Sequence, residues 1–397
     1  MNLVSNAYAK LRSNDRKTNL LILLFVVAFG ASLIARYVAR HAESMDYTIF
    51  LNPWITQLGT HGLSSLGENF SNYNAPYLIL LWLASHLPFS HLASIKLISV
   101  IFDIILALSV WLVIHHYRPN AKYLPYLGFL AIMFAPTVLQ NSAVWGQCDS
   151  IYTSFIVLAF YAHLKKRQTF SWILWAIALA FKFQAIFFLP FLGYVMLKDR
   201  VRLKPLVAAA LTFILLSCPP LFFGRSLYDT FTVYLVQASP NLSDMRLALN
   251  APTAYQWLPD NLYSAIRPMG IMIAFGGALG IVSLGLVRRF TPKAELIIAT
   301  LCVLSIPFLL PVMHERYFYI AEIFLIMGGF IYTRLLPLAL IMQVITLITY
   351  LGYFDGQKQN VIPYMLLSAL TLYVIYKIAQ LLYSESTGHT PIATRIK

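Results

Sequence analysis

The chain has 397 residues, 59% of them apolar and only 11% charged, with a mean hydropathy of +0.70; a soluble domain carries roughly 25% charge, so this chain cannot cover a water-facing surface. Apolar runs recur from Leu20 to Tyr383 with no polar interval long enough for a soluble domain, which makes residues 1–397 one integral membrane domain. The formal net charge of +14 fits either nucleic acid or membrane topology, and the positions of the charges decide between them.

A spanning helix needs about 20 apolar residues, and inner loops collect Lys and Arg. Residues 1–19 are polar, and the next apolar stretch ends at Arg36 without a small-residue cleavage pattern, so no cleavable signal is expected. Lys10, Arg12, Arg16 and Lys17 put the N-terminus inside, and residues 20–35 cross outward. A first outer loop covers residues 36–94, with amphipathic stretches at 47–58 and 77–87 that read as interfacial helices. Residues 94–115 return to Arg118 and Lys122; 123–139 go out, 141–150 lie outside, and 151–164 come back to Lys165, Lys166 and Arg167. Basic clusters at both ends make 170–197 a hairpin. Residues 205–223 then cross out, 224–266 form a second large outer loop, and 268–287 return to Arg288, Arg289 and Lys293. Two hairpins finish the chain, with 296–311 and 335–350 rising and 318–333 and 362–382 descending.

The expectation is an all-α polytopic protein of about twelve spans with both termini cytoplasmic. About 20 of the 29 basic residues fall in inner segments, so the basicity is topology and no nucleic-acid partner is implied. The acids Glu43, Asp46, Glu68, Asp149, Asp229, Asp244, Asp260, Glu315 and Asp355 fall outside, where the chemistry is expected. Cys148, Cys218 and Cys302 are scattered without metal-ligand spacing, so neither a disulfide framework nor a metal site is indicated.

Asp46 stands about ten residues beyond the first span, where a general base at the membrane surface would sit. The competing role is to cap the helix at Tyr47. In Ser71-Asn72-Tyr73-Asn74-Ala75-Pro76 the proline forces an extended entry to the next helix; this is either a stiff loop or a place where Tyr73 and Asn74 meet sugar hydroxyls. Trp145-Gly146-Gln147-Cys148-Asp149 sets Trp, Gln and Asp within five residues between two spans. That pattern suits a belt tryptophan and a helix cap, or contact with substrate.

Lys182 lies at the middle of the 170–197 hairpin, followed closely by Gln184. Two helices sharing those residues rise only about 20 Å each, so Lys182 should lie below the outer surface and need an anionic partner; the competing role is snorkelling to outer headgroups. His314, Glu315, Arg316 and Tyr317 gather an imidazole, a carboxylate and a guanidinium at the outer boundary. Arg is suited to bidentate phosphate contact, although a surface ion pair with Glu315 is an alternative. In the second outer loop Arg246 and Asn250 are contact candidates, with loop packing the competing role for most of this stretch. Asn69-Phe70-Ser71 and Asn241-Leu242-Ser243 match the glycosylation sequon weakly.

Taken in order, the outer-loop Asp46, Asn72-Tyr73-Asn74-Ala75-Pro76-Tyr77, Trp145 to Ser150, Phe181-Lys182-Phe183-Gln184 and Met313 to Tyr317 resemble the membrane glycosyltransferases of the GT-C class over nearly the whole chain. Among these, the sequence is most similar to bacterial mannosyltransferase-like proteins related to the second GPI mannosyltransferase, with dolichyl-phosphate-glucose glucosyltransferases as cousins. The motifs are specific in combination rather than singly. The resemblance implies a GT-C-like bundle in a bacterial plasma membrane, a polyprenyl-phosphate sugar donor, a glycan or glycolipid acceptor, no separate cofactor, and inverting transfer on the outer face. It makes Asp46 the base, gives donor-phosphate contacts to His314, Arg316 and Lys182, and leaves Tyr73, Asn74, Trp145, Gln147, Asp149, Gln184, Arg246, Asn250, Glu315 and Tyr317 as substrate contacts. Ala75 departs from the family, whose cousins carry a first proline there, which puts the acceptor entry in question. A secondary transporter and a lipid-linked sugar flippase are the alternatives. Transporters favour paired broken helices at the midplane, and here the polar residues crowd one face.

Overall fold

The computed structural model describes residues 2–238, 245–287, 290–354 and 362–387. Asp244, Asp355, Arg288, Arg289 and the sequon at 241–243 lie outside them, as do the side chains of Lys10, Arg12, Arg16 and Lys17. Among the described residues the fold is all helical. The α-helices are α1 Asn2–Ala39, α2 Asn52–His61, α3 Ala75–Ser85, α4 His91–Tyr117, α5 Leu124–Phe134, α6 Pro136–Leu139, α7 Asp149–Leu164, α8 Gln168–Phe181, α9 Leu189–Asp199, α10 Lys204–Ser217, α11 Leu227–Phe231, α12 Val233–Ala238, α13 Tyr263–Val287, α14 Pro292–Leu309, α15 Tyr319–Ile331, α16 Leu336–Phe354 and α17 Tyr364–Thr387.

Among the described residues seven helices are long and apolar enough to cross a membrane, or eight if α5 and the Pro136–Trp145 segment, bent by 48°, count as one span. The expected twelve is not reached by length. Helices α7, α8, α9 and α15 have 16, 14, 11 and 13 residues, so even α7 rises only about 24 Å against a hydrocarbon core of about 30 Å. Local chemistry breaks them. Pro136 starts α6, Gly146 takes the left-handed φ of +77° before α7, and Lys182 is extended between α8 and the 3₁₀ turn Phe183–Phe188. Side chains set the helix starts: Ser90 accepts from the Ala93 amide at 3.3 Å and Thr291 from that of Ala294 at 3.2 Å.

Only 6% of the α1 span is buried, against 72% of α14, so α1 faces lipid while α14 is central. Lipid is as apolar as leucine, so polar ties gain importance in holding such helices together. Arg36 of α1 is buried, not the start of a loop: Nε donates to Asp103 Oδ2 of α4 at 2.9 Å and Nη1 to the Met133 carbonyl of α5 at 2.8 Å. Ser142 donates to the same Asp103 oxygen at 2.5 Å. The first long loop is a folded cap with its own core, in which Ile55 and Leu58 of α2 pack with Leu78 and Leu81 of α3. Fully burying each such side chain contributes about 1.5–3 kcal/mol where the alternative is water.

The chain connections sort into two ends. At one, Asp46, Trp145, Arg316 and Tyr353 meet. At the other, Tyr117 donates to the Pro292 carbonyl, Arg118 to that of Ile331, and His163 and Lys198 converge on Glu295.

Candidate functional site

Asp46 follows α1 after a short loop and opens the π-helical turn Tyr47–Leu51 without making a side-chain capping bond to it. Ser44 anchors the loop instead, accepting from the Tyr47 amide at 3.1 Å and donating to the Trp145 carbonyl at 3.0 Å. The Asp46 carboxylate is thereby free to point at residues far away in the chain. Its Oδ2 accepts from Trp145 Nε1 at 3.1 Å, Gln147 Nε2 at 2.5 Å and Arg316 Nη1 at 2.7 Å, while Oδ1 accepts from the Tyr353 hydroxyl at 3.0 Å. The left-handed Gly146 lets the chain turn between Trp145 and Gln147, so that both donate to one oxygen. The Tyr353 ring stacks on Trp145 with centroids 4.3 Å apart, and the Arg316 guanidinium lies 5.3 Å from the Trp145 ring.

This pair is not sealed: the Asp46 and Arg316 side chains keep 20% and 15% of their surface. Burial pushes the Asp46 carboxyl up, but the Arg316 charge and the hydrogen bonds from Arg316, Tyr353 and Trp145 outweigh it and hold the group below the usual carboxylate value. With Arg316 on Oδ2, Asp46 is ionised and weakly basic.

The 312–316 segment is held by the second long loop. Val312 donates its amide to the Leu247 carbonyl at 2.7 Å and Leu249 donates to that of Met313 at 2.9 Å, and Asn250 bridges to His314. Val312 and Asn250 take φ of +62° and +61°, a conformation that strains a β-branched valine and marks functional segments. Burial, with the charges of Arg316, Lys182 and Arg246, drives the His314 imidazole down to about 3, so it acts as a neutral hydrogen-bonding group. Glu315 is buried beside the Asn250 side chain. Burial pushes its carboxyl up to about 7 against the pull of Arg316.

Lys182 is 2% exposed and its ammonium donates to Asp149, which also accepts from Asn141 Nδ2 at 2.8 Å. The ammonium stands 6.0 Å from the Tyr73 ring and 5.7 Å from Tyr152. Gln184 sits beside Tyr317, with its Oε1 buried and unpaired. The groups adjoin, since Arg316 feels the charge of Asp149 and His314 that of Lys182.

The structure therefore brings Asp46, Trp145, Gln147 and Arg316 into direct contact, with Lys182, Asp149, Tyr73, Gln184 and Tyr317 next to them and Arg246, Asn250 and Glu315 around His314. Asn74 is committed elsewhere: its Oδ1 accepts from the Ala75 amide at 2.8 Å and its Nδ2 donates to Ser217 at 2.7 Å. Tyr353 was not foreseen, because a tyrosine at the end of an apolar helix carries no local signal. Asp103 was also missed, although an acid inside an apolar helix of 27 residues is such a signal. Among the described residues no three His, Cys, Asp or Glu side chains converge as for a metal ion.

No protein-family model matches the chain, and no curated protein matches it significantly.

Proposed function

We propose that the protein is an inverting glycosyltransferase of GT-C-like, roughly twelve-span architecture, with its site on the outer face of a bacterial plasma membrane. It moves a sugar, mannose or glucose, from a polyprenyl-phosphate donor to a glycan or glycolipid acceptor. The observation that carries this reading is the partly open Asp46–Arg316 pair, a carboxylate and a guanidinium in contact at 2.7 Å at one end of an apolar bundle.

The chemistry needs one base and one cation. The acceptor hydroxyl loses its proton to Asp46 as its oxygen bonds to the anomeric carbon, and the bond from that carbon to the phosphate oxygen breaks. The departing phosphate carries the negative charge, which a fixed guanidinium stabilises. Arg316 is bonded to Asp46 in the free protein; a donor phosphate competes for the same fork and, by withdrawing it, restores basicity to Asp46 when transfer is due. The neutral His314 supplies a hydrogen bond rather than a charge, and Lys182, already paired with Asp149, acts on the donor only at longer range.

The buried Lys182–Asp149 pair is the feature that favours a secondary transporter instead, since charged pairs inside a membrane domain often line solute paths. Purified protein in vesicles with polyprenyl-phosphate mannose or glucose and a membrane glycolipid extract separates the two. Transfer of labelled sugar that Asp46→Asn removes supports the transferase. Protein-dependent movement of solute without transfer supports the transporter.

A further inference from the structure

At the end of the bundle remote from Asp46, a cavity of about 340 Å³ opens between the start of α16 and the last turns of α17, lined among others by Arg334, Leu338, Tyr373, Lys377, Gln380 and Ser384. Tyr353 near the far end of α16 reaches Asp46, so at 1.5 Å per residue Arg334 lies roughly 28 Å away, across the thickness of a hydrocarbon core. The lining contains two cations and no carboxylate. Lys377 bonds to the neutral Gln380 Oε1 at 3.1 Å and stands 5.6 Å from the Tyr373 ring, while Arg334 lies 5.9 Å from the Tyr332 ring.

Other cations, Lys96, Arg118 and Lys165 among them, also lack a carboxylate partner, bonding backbone carbonyls or facing a ring; Arg334 and Lys377 share one cavity. Arg36, Lys182, Lys198 and Arg316 each have a carboxylate, and Lys293 nearby has Glu385 at 2.7 Å. Among the described residues neither Arg334 nor Lys377 has one. The surface running from the cavity toward the middle of the bundle is apolar. Leu366, Leu370 and Tyr373 are 52%, 38% and 45% exposed and share the face of α17 that carries Lys377, at spacings of three and four residues. On α16, Leu340 is 61% exposed.

An apolar stripe that ends in two unmatched cations at headgroup depth has the chemistry of a single phospholipid. We propose that the cavity holds the phosphate of an anionic phospholipid of the leaflet opposite Asp46, bridged by Arg334 and Lys377, with the acyl chains along α16 and α17. The bound lipid clamps α17 to the corner between α15 and α16. This holds whatever reaction occurs at Asp46.

The test is native mass spectrometry of the purified full chain from nanodiscs of phosphatidylcholine with phosphatidylglycerol, counting lipid retained after delipidation. Wild type should retain phosphatidylglycerol in preference to phosphatidylcholine. Arg334→Gln and Lys377→Gln should each lower that retention about fivefold, the ratio given by about 1 kcal/mol per cation near a membrane surface. Lys377→Arg should preserve it, as should Lys122→Gln, which removes an exposed cation outside the cavity. Thermal unfolding in phosphatidylcholine alone establishes that each variant is folded. Equal retention of both lipids, or undiminished retention in both folded Gln variants, overturns the proposal. Displacement of the lipid by millimolar inorganic phosphate reassigns the cavity to a free anion and overturns the lipid assignment.

Discussion

Two carboxylates organise the two ends of this bundle, and their surroundings differ in one decisive respect. Glu295, from α14, accepts from His163 at 2.8 Å and from Lys198, and these side chains are at most 6% exposed. Asp46 accepts from Trp145, Gln147, Arg316 and Tyr353, yet it and Arg316 keep 20% and 15% of their surface. Both clusters join segments distant in sequence. The closed one has no route for a competing anion and serves as a tie between helices; the open one can exchange partners. Accessibility, rather than the presence of charge, separates a site from a strut.

The sharpest way to break this comparison is to neutralise each carboxylate in turn. Asp46→Asn preserves shape and removes basicity, so sugar transfer should fall by roughly 10²- to 10⁴-fold while the thermal unfolding midpoint in detergent changes little. Glu295→Gln should do the reverse. It leaves Lys198 with only the more distant Asp199, at 3.4 Å, as a charge partner, so the loss should approach but not exceed the about 3–5 kcal/mol typical of breaking a buried pair, readable as a fall in the unfolding midpoint, while the folded fraction keeps its turnover. Equal effects of both variants on both readouts would erase the distinction.

A smaller effect is expected at Arg316. Replacing it with Ala should weaken binding of a polyprenyl-phosphate sugar by about 1.5–3 kcal/mol, the range for hydrogen bonds to charged groups; Lys should restore only part of this, lacking the two-pronged fork. Isothermal titration with the donor reads both. The same change removes the largest influence holding Asp46 below the usual carboxylate value and leaves the hydrogen bonds from Tyr353 and Trp145 against burial, so the acid limb of the pH–rate profile should move to higher pH in Arg316→Ala.

Tyr353→Phe should act least. It deletes one hydrogen bond to Asp46 Oδ1 and keeps the stack on Trp145, for a loss of about 1 kcal/mol in transition-state stabilisation, measured as kcat/KM. It also bears on stability. Because the Asp46 carboxyl sits below its unfolded value of about 3.9, its contribution is complete above that pH and is lost as pH falls through the folded value. Plots of stability against pH for wild type and Tyr353→Phe should therefore run parallel, offset by this contribution, above about pH 4 and converge below it.

Much of the membrane character was legible from composition and apolar runs, since burial in lipid imposes a pattern on every spanning segment. Asp46, Trp145, Gln147 and Arg316 stood out as polar groups at the edges of apolar runs. Their mutual contact did not, because Asp46 and Arg316 are 270 residues apart and no local pattern encodes such a pairing. The sequence also pointed to Glu315 as a rival partner for Arg316; the guanidinium turns to Asp46, because successive residues of the 3₁₀ turn Glu315–Phe318 face different ways. Lys182 does have the anionic partner that its depth demands, but that partner is Asp149, which the sequence offered as a cap or a substrate contact. Arg36 looked like the end of a span and instead lies within one, matched by Asp103 of α4. The number of crossings was the least legible feature: Pro136 breaks the run expected to span at 123–139, and the runs at 151–164, 170–197 and 318–333 form helices of only 16, 14, 11 and 13 residues.

The account turns on Arg316 leaving Asp46 for a phosphate. A structure determined with a polyprenyl phosphate bound measures this directly. The account predicts the lipid phosphate within hydrogen-bond distance of the Arg316 guanidinium and the Asp46 Oδ2 contact, 2.7 Å in the free protein, opened beyond salt-bridge range. A lipid phosphate bound elsewhere, with the Asp46–Arg316 pair intact, would contradict it.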